Sequence, residues 1–224
     1  MVHLSRLIRY KKGRSVMIDF KVFPIDAGWE DIHININGDK FNFHVSYIGD
    51  TFFQMISAAA ALMGTPPYEN FSDTTERREA VIADGIYDLA TGVNVTWDQE
   101  GQGLVEWILT KPVTLGEEFT LHIEVTLLDI DEKHAYDVDF REFCYALAKC
   151  FTEALKNTGI CGYYDATFID GYGSNINLKE FIYVKAFALK KLNEFKTTYV
   201  ANEQGKDKAY TDFQKEMELI MQDM

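Results

Sequence analysis

Residues 119–127 alternate without a break. Phe119, Leu121, Ile123, Val125 and Leu127 fall on one parity, and Thr120, His122, Glu124 and Thr126 on the other. Side chains on a strand point to opposite faces in turn, so this stretch predicts a strand with one apolar and one wet face. An antiparallel sheet covered on one side only has that pattern. Val93, Val95 and Trp97 alternate in the same way, and a glycine-bearing turn over residues 98–103 follows. Residues 104–109 are apolar on both parities, which predicts a strand buried on both faces. Lys111-Pro112 and residues 115–118 are expected to connect it to the strand at 119, completing a three-strand meander.

Earlier in the chain, residues 16–23 predict a strand ended by Pro24. Ile32, Ile34 and Ile36 alternate with His33 and Asn35, and Phe41, Phe43 and Val45 alternate with Asn42 and His44. Asn37-Gly38 lies between the two runs and favours a tight hairpin turn. Pairing Ile34 with Phe41 or Phe43 sets apolar against apolar, so register and pattern agree. With the turn centred on Gly38-Asp39, His33 and His44 would stand directly opposite each other.

Elsewhere the period changes from two to 3.6. Asp50 suits an N-cap ahead of a helix with Phe53, Ile56, Ala59, Ala60 and Met63 on one stripe, stopped by Gly64 and Pro66-Pro67. The small residues Ala58 to Ala61 predict close packing of this helix on the sheet. Phe140, Phe143, Cys144, Leu147, Phe151 and Leu155 predict a second helix, with Asp137 or Asp139 as cap and Gly159 near its end. Asn177-x-x-Glu180 resembles a capping box and opens a third helix, whose stripe is Phe181, Val184, Ala188, Leu192, Phe195 and Tyr199. After an interruption around Gly205, Phe213, Met217, Ile220 and Met221 mark a terminal helix. In residues 65–92 the charged Glu76-Arg-Arg-Glu79 reads as a solvated turn, and residues 81–89 as a short strand or a helical turn. The fold class is therefore α+β: a mostly antiparallel sheet of about five to seven strands with three to four helices on one face.

Apolar residues make up 47% of the 224, enough for a core and against disorder. Formal charge is −13, yet residues 1–16 carry five basic side chains and no acid, so the remainder carries −18. That contrast marks residues 1–16 as a basic arm or a vector-derived leader, and residues 17–224 as a single α+β domain. So acidic a body repels nucleic-acid phosphates and anionic membrane and favours a basic protein partner, although solubility alone also accounts for such charge. No apolar run approaches the roughly 20 residues of a membrane span, and the basic N-terminus lacks the apolar segment of a secretory signal. Cys144, Cys150 and Cys161 do not have zinc-site spacing and are too few for a disulfide framework. Cys144 and Cys150, in an apolar helical pattern, are expected to be reduced core thiols of a cytoplasmic protein. Trp29, Trp97 and Trp107 are expected in the core or at a sheet edge.

Chemistry-bearing residues are sparse. Three imidazoles on one sheet face, His33, His44 and His122, can in principle hold Zn²⁺, but no HxH or HExxH spacing supports it and solvated strand histidines are the plainer reading. Asp129, Asp131, Glu132 and His134 cluster after the central strand, either as an acid–base or cation site or simply as the acidic first turn of the following helix. The Gly/Tyr/Asp-rich loop from Gly162 to Asn175 offers Tyr163, Tyr164, Asp165, Asp170 and Tyr172 as interface anchors, against the alternative of aromatics packed beneath their own loop. It lacks the lysine and spacing of a phosphate loop. No nucleophile elbow, Cys–His pairing or cofactor motif is present.

Tyr47-Ile-Gly-Asp50 ahead of an alanine-rich helix, then tryptophan-bearing strands, an amphipathic helix, the Gly/Tyr loop and Asn175-Ile-Asn-Leu-Lys-Glu-Phe-Ile-Tyr-Val-Lys185, form a recognisable layout. Over residues 17–192 it resembles small bacterial α+β proteins of unassigned function, some of which stand beside polymorphic toxins as immunity proteins. The resemblance carries over no functional residue. Together with the charge, it implies a non-catalytic acidic binding module, in its specific form an immunity-type inhibitor of a basic bacterial toxin, with no cofactor. The alternatives are a small metal-dependent or hydrolytic enzyme and a homo-oligomer joined through the terminal helix.

Overall fold

A computed structural model describes residues 17–24, 30–45, 51–63, 79–82, 85–88, 92–99, 103–115, 118–159, 178–195, 198–201 and 207–224. Strands β1 (Ile18–Pro24), β2 (Glu30–Ile36) and β3 (Asp39–Val45) form one antiparallel sheet in that order. Helix α1 (Thr51–Leu62) follows. Strands β4 (Glu79–Ile82), β5 (Gly85–Asp88), β6 (Gly92–Asp98), β7 (Leu104–Leu115), β8 (Glu118–Leu127) and β9 (Glu132–Asp139) form a six-stranded antiparallel meander. Helices α2 (Phe140–Thr158) and α3 (Leu178–Ala188) come next, then a 3-10 turn (Leu192–Phe195), a ribbon of β10 (Thr198–Ala201) and β11 (Asp207–Tyr210), and helix α4 (Phe213–Met221). The α+β class holds, with the strands divided among these sheets.

Asn37 and Gly38 form the first hairpin's two-residue turn, both at positive φ (57° and 103°), as the right-handed twist of the flanking strands requires. The turn thus centres one residue earlier than Gly38-Asp39. Ile34 pairs with Phe41 and Ile32 with Phe43, while His33 faces Asn42 and His44 faces Asp31. The two histidines are therefore not opposite each other.

In the large sheet, Val93, Val95 and Trp97, Val105, Trp107 and Leu109, and Leu121, Ile123 and Val125 all point to the buried side. Contrary to the expectation for residues 104–109, only one parity of that stretch is buried; Leu104 is exposed and Glu106 and Ile108 are half-exposed. Strand β7 also runs through Lys111-Pro112. Proline has no N–H for the ladder, and the β7–β8 register shifts between Thr110 and Val113, so a bulge absorbs it.

The small sheet meets the buried face of the large one through aromatic side chains. Phe43 stands edge-on to Trp97 and Trp107 at centroid distances of 5.6 and 6.0 Å, and Phe41 does the same to Tyr136. Phe20 of β1 meets Phe52 of α1 and Phe143 of α2. Between sheets and helices lies α1, buried at Phe52 and at every position from Gln54 to Leu62, so over those positions it has no wet face rather than the single stripe expected. Its alanines permit contact with β6, α2 and α3 together. The expected cap at Asp50, with Trp29 and Cys161, lies outside the described residues.

Asp139 caps α2, its Oδ1 accepting from the backbone N–H of Arg141 (2.8 Å) and Glu142 (2.9 Å). Cys144 and Cys150 are buried free thiols, and burial raises both pKa values. Helix α3 stops sooner than its apolar spacing predicts: Lys190 takes a left-handed φ of 60°, residues 192–195 tighten to 3-10, and Tyr199 belongs to β10. No helix among the described residues is long and apolar enough to cross a membrane.

Candidate functional site

Asp212 caps α4 by accepting from the N–H of Lys215 at 3.2 Å. The nine residues that follow divide their apolar side chains between two directions. Leu219 and Ile220 are buried against the core, whereas Phe213 (72% exposed), Met217 (37%) and Met221 (67%) form a stripe at i, i+4 and i+8 that faces solvent. Beside it runs a cleft of about 320 Å³ between Leu178, Ile182 and Tyr183 of α3 and Phe213, Met217 and Ile220 of α4. Phe195 and Thr211 also line it, and the charged side chains at its walls are Lys179 and Glu216. The Lys179 ammonium lies 5.9 Å from the centre of the Tyr183 ring.

The C-terminal end of α4 is tied to α2 and α3 by buried and surface contacts. Lys185 of α3 is fully buried, and its ammonium donates to Thr152 Oγ1 (2.9 Å), the Ile220 carbonyl (3.1 Å) and the Gln222 carbonyl (2.6 Å). Two of these acceptors lie at the end of α4, where carbonyls lack helical partners and the helix dipole favours a cation. Burial, and next the Lys156 charge, lower the Lys185 pKa to about 8. Lys191 donates to Gln222 Oε1 at 2.8 Å, and Lys156 pairs with Asp223. On the far side of α3, Ser57 of α1 donates to the buried Glu180 carboxylate. Lys185 belongs to no motif in the sequence. Its position, four residues after Phe181 and three before Ala188 on the buried stripe, was the available signal.

The sequence-predicted metal candidates do not come together. His33 and His44 lie on the outer face of the small sheet, where His33 packs against Phe23 and His44 Nδ1 lies 2.6 Å from Asp31. His122 lies on the outer face of the large sheet, with Nδ1 2.8 Å from Asp137 and Nε2 3.3 Å from Glu124. The Asp137 hydrogen bond, outweighing desolvation and joined by Glu124, raises the His122 pKa. With a carboxylate at each ring nitrogen, the protonated imidazolium donates to both. Among the described residues, no three His, Cys, Asp or Glu side chains are grouped to hold a metal ion.

Asp129 and Asp131 occupy a hairpin turn, residues 128–131, with Asp131 at φ 50°, and Glu132 begins β9. A whole strand separates them from α2, so they are not that helix's first turn. His134 Nε2 is 2.9 Å from Glu132, and its ring stands edge-on to Phe41, part of the seam between the sheets. The neighbouring Tyr136 hydroxyl donates to Asp39 at 3.0 Å, and burial raises its pKa. Trp97 and Trp107 are core residues, as expected. The loop with Tyr163, Tyr164, Asp165, Asp170 and Tyr172 lies outside the described residues. No protein-family model matches the chain, and no curated protein or solved structure is significantly similar to it.

Proposed function

We propose that the chain is a non-catalytic binding protein whose partner is a basic protein. The supporting observation is the solvent-facing stripe of Phe213, Met217 and Met221 beside an apolar cleft. Apolar side chains scattered singly over a surface need no explanation, but a contiguous patch with polar surroundings is what interaction sites present. Methionine and phenylalanine suit the role, one adaptable and one supplying large contact area. The acidic body favours a cationic partner and accelerates its encounter, so the patch and the charge point to the same class of ligand. In its narrowest form the reading is an immunity-type inhibitor that occludes the cationic surface of a basic bacterial toxin.

A benzophenone-bearing residue in place of Met217 or Met221, irradiated in the native host, should form an adduct with one basic protein. The same group in place of Ala135, on the outer face of the large sheet, should not. If the Met217 and Met221 positions capture nothing, or capture only acidic proteins, the reading fails.

A further inference from the structure

We propose that the α3–α4 cleft receives a basic amphipathic helix of the partner, laid across Phe213, Met217 and Met221. This rests on the binding-protein reading above and adds the form of the recognised segment. The three stripe positions span eight residue steps, about 12 Å along α4. Two helices with a groove between them offer a third helix the usual ridge-into-groove seat, at an interaxial distance of about 8–10 Å. A helix presenting apolar residues at i, i+3, i+4 and i+7 fits such a groove.

The exposures distinguish among occupants. Met221 is 67% exposed and does not line the cleft, so a small molecule filling the cleft would leave it in water; a helix over the groove covers it. A second copy brings another −13 to the contact. A basic helix brings complementary charge. On α4 and its cap, Lys215 lies 3.8 Å from Asp212, while Glu216 and Glu218 have no ion-pair partner among the described residues. Glu216 stands at the α4 wall of the cleft and Lys179 at the α3 wall, so lysines flanking the apolar face of an incoming helix would meet the two carboxylates on the α4 side.

The test uses the full chain and synthetic peptides of about eighteen leucines and lysines, long enough for several helical turns. One has leucines at helical spacing, one is a scramble of the same composition, and one replaces each lysine by glutamate. Calorimetry should show the spaced basic peptide binding at least about tenfold more tightly than the scramble, and the acidic peptide not binding. Met217→Glu and Phe213→Ser should each weaken the spaced peptide by about tenfold or more. Both side chains are solvent-facing, and unchanged melting of the variants shows that the fold persists; Met221→Glu repeats the test at the stripe's far end. Equal binding of spaced and scrambled peptides, unchanged binding by folded variants, or no peptide binding at all overturns the helical mode. Light scattering that shows a dimer abolished by Met217→Glu overturns it too, by naming a second copy as occupant. If the photo-crosslink captures a basic protein while the peptides fail, the binding function survives and only the helical form falls.

Discussion

Lys185 offers a quantitative test of how the C-terminal helix is held. Its ammonium sits in a fully buried position whose three acceptors are all neutral: the Thr152 hydroxyl and the carbonyls of Ile220 and Gln222. Among the described residues no carboxylate offsets the loss of water, and Lys156 adds repulsion, so the pKa falls from 10.5 to about 8. Between those two values the unfolded chain binds a proton that the folded chain has released. Folding stability therefore rises with pH in that window. The full effect is about 3 kcal/mol, at about 1.4 kcal/mol per unit, with roughly 1.4 kcal/mol present at pH 9 and roughly 2.5 at pH 10. Urea unfolding of the natural chain and of Lys185→Met, measured at pH 7, 8, 9 and 10, isolates the effect as the change in their difference. At pH 7 Lys185→Met loses three hydrogen bonds but also a buried charge, so its offset is left free. What must happen is that the natural chain gains on the variant as pH rises. Parallel stability curves from pH 7 to 10 would show that the three acceptors hold the proton as well as water does, and would refute the account of a charge lowered by burial.

Three smaller perturbations test other parts of the fold. Asp139→Ala removes the oxygen that accepts two α2 N–H groups and should cost about 1 kcal/mol in urea unfolding, with no change of slope. Ala59→Leu places three extra carbons on a helix buried on all described sides; overpacking by about 1–3 kcal/mol is expected, and a stable, unshifted melt would mean that α1 is packed more loosely than its alanines indicate. His122 should titrate above an ordinary histidine by NMR, and Asp137→Asn should bring it down. Because the folded pKa is raised, the stability from this group is present below pH about 6.5 and lost as pH rises through the folded value. A His122 that titrates at or below the free-histidine value would mean that the Asp137 contact does not form in solution.

The first hairpin and the β8 strand were legible because alternation and an Asn-Gly turn act within a dozen residues. The turn centre decided the rest: moving it by one residue put Asn42 rather than His44 opposite His33, and separated a candidate metal pair. Strand β9 does not stand out in the sequence, because Lys133, Ala135 and Asp137 alternate with His134, Tyr136 and Val138, and only the last of these reads as plainly apolar. Its inward Tyr136 contacts Asp39 of the small sheet, a partner 97 residues away that no local window contains. In the third helix the apolar spacing outruns the helix itself for the opposite reason. Phe195 stays buried through the 3-10 turn, so apolar spacing continues although the helix has already broken at Lys190.

Helices α1 and α4 show where reading a stripe stops being informative. Both display apolar residues at three- and four-residue intervals, and that spacing alone does not say which way those residues turn. In α1 the polar positions Gln54 and Ser57 are buried along with the apolar ones, because sheet and helices close on it from several sides. In α4 the same kind of spacing yields two buried residues and three exposed ones. Periodicity states that a helix has an apolar side but not what covers that side, which depends on neighbours distant in sequence. The excess apolar surface of α4 is thus visible only once Leu219 and Ile220 are seen to satisfy the core, with Lys185 holding the carbonyls at the helix end. Phe213, Met217 and Met221 then contribute little to folding. Their replacement by polar residues should leave stability nearly unchanged while affecting recognition, and that separation is what a binding surface predicts and a misjudged core does not.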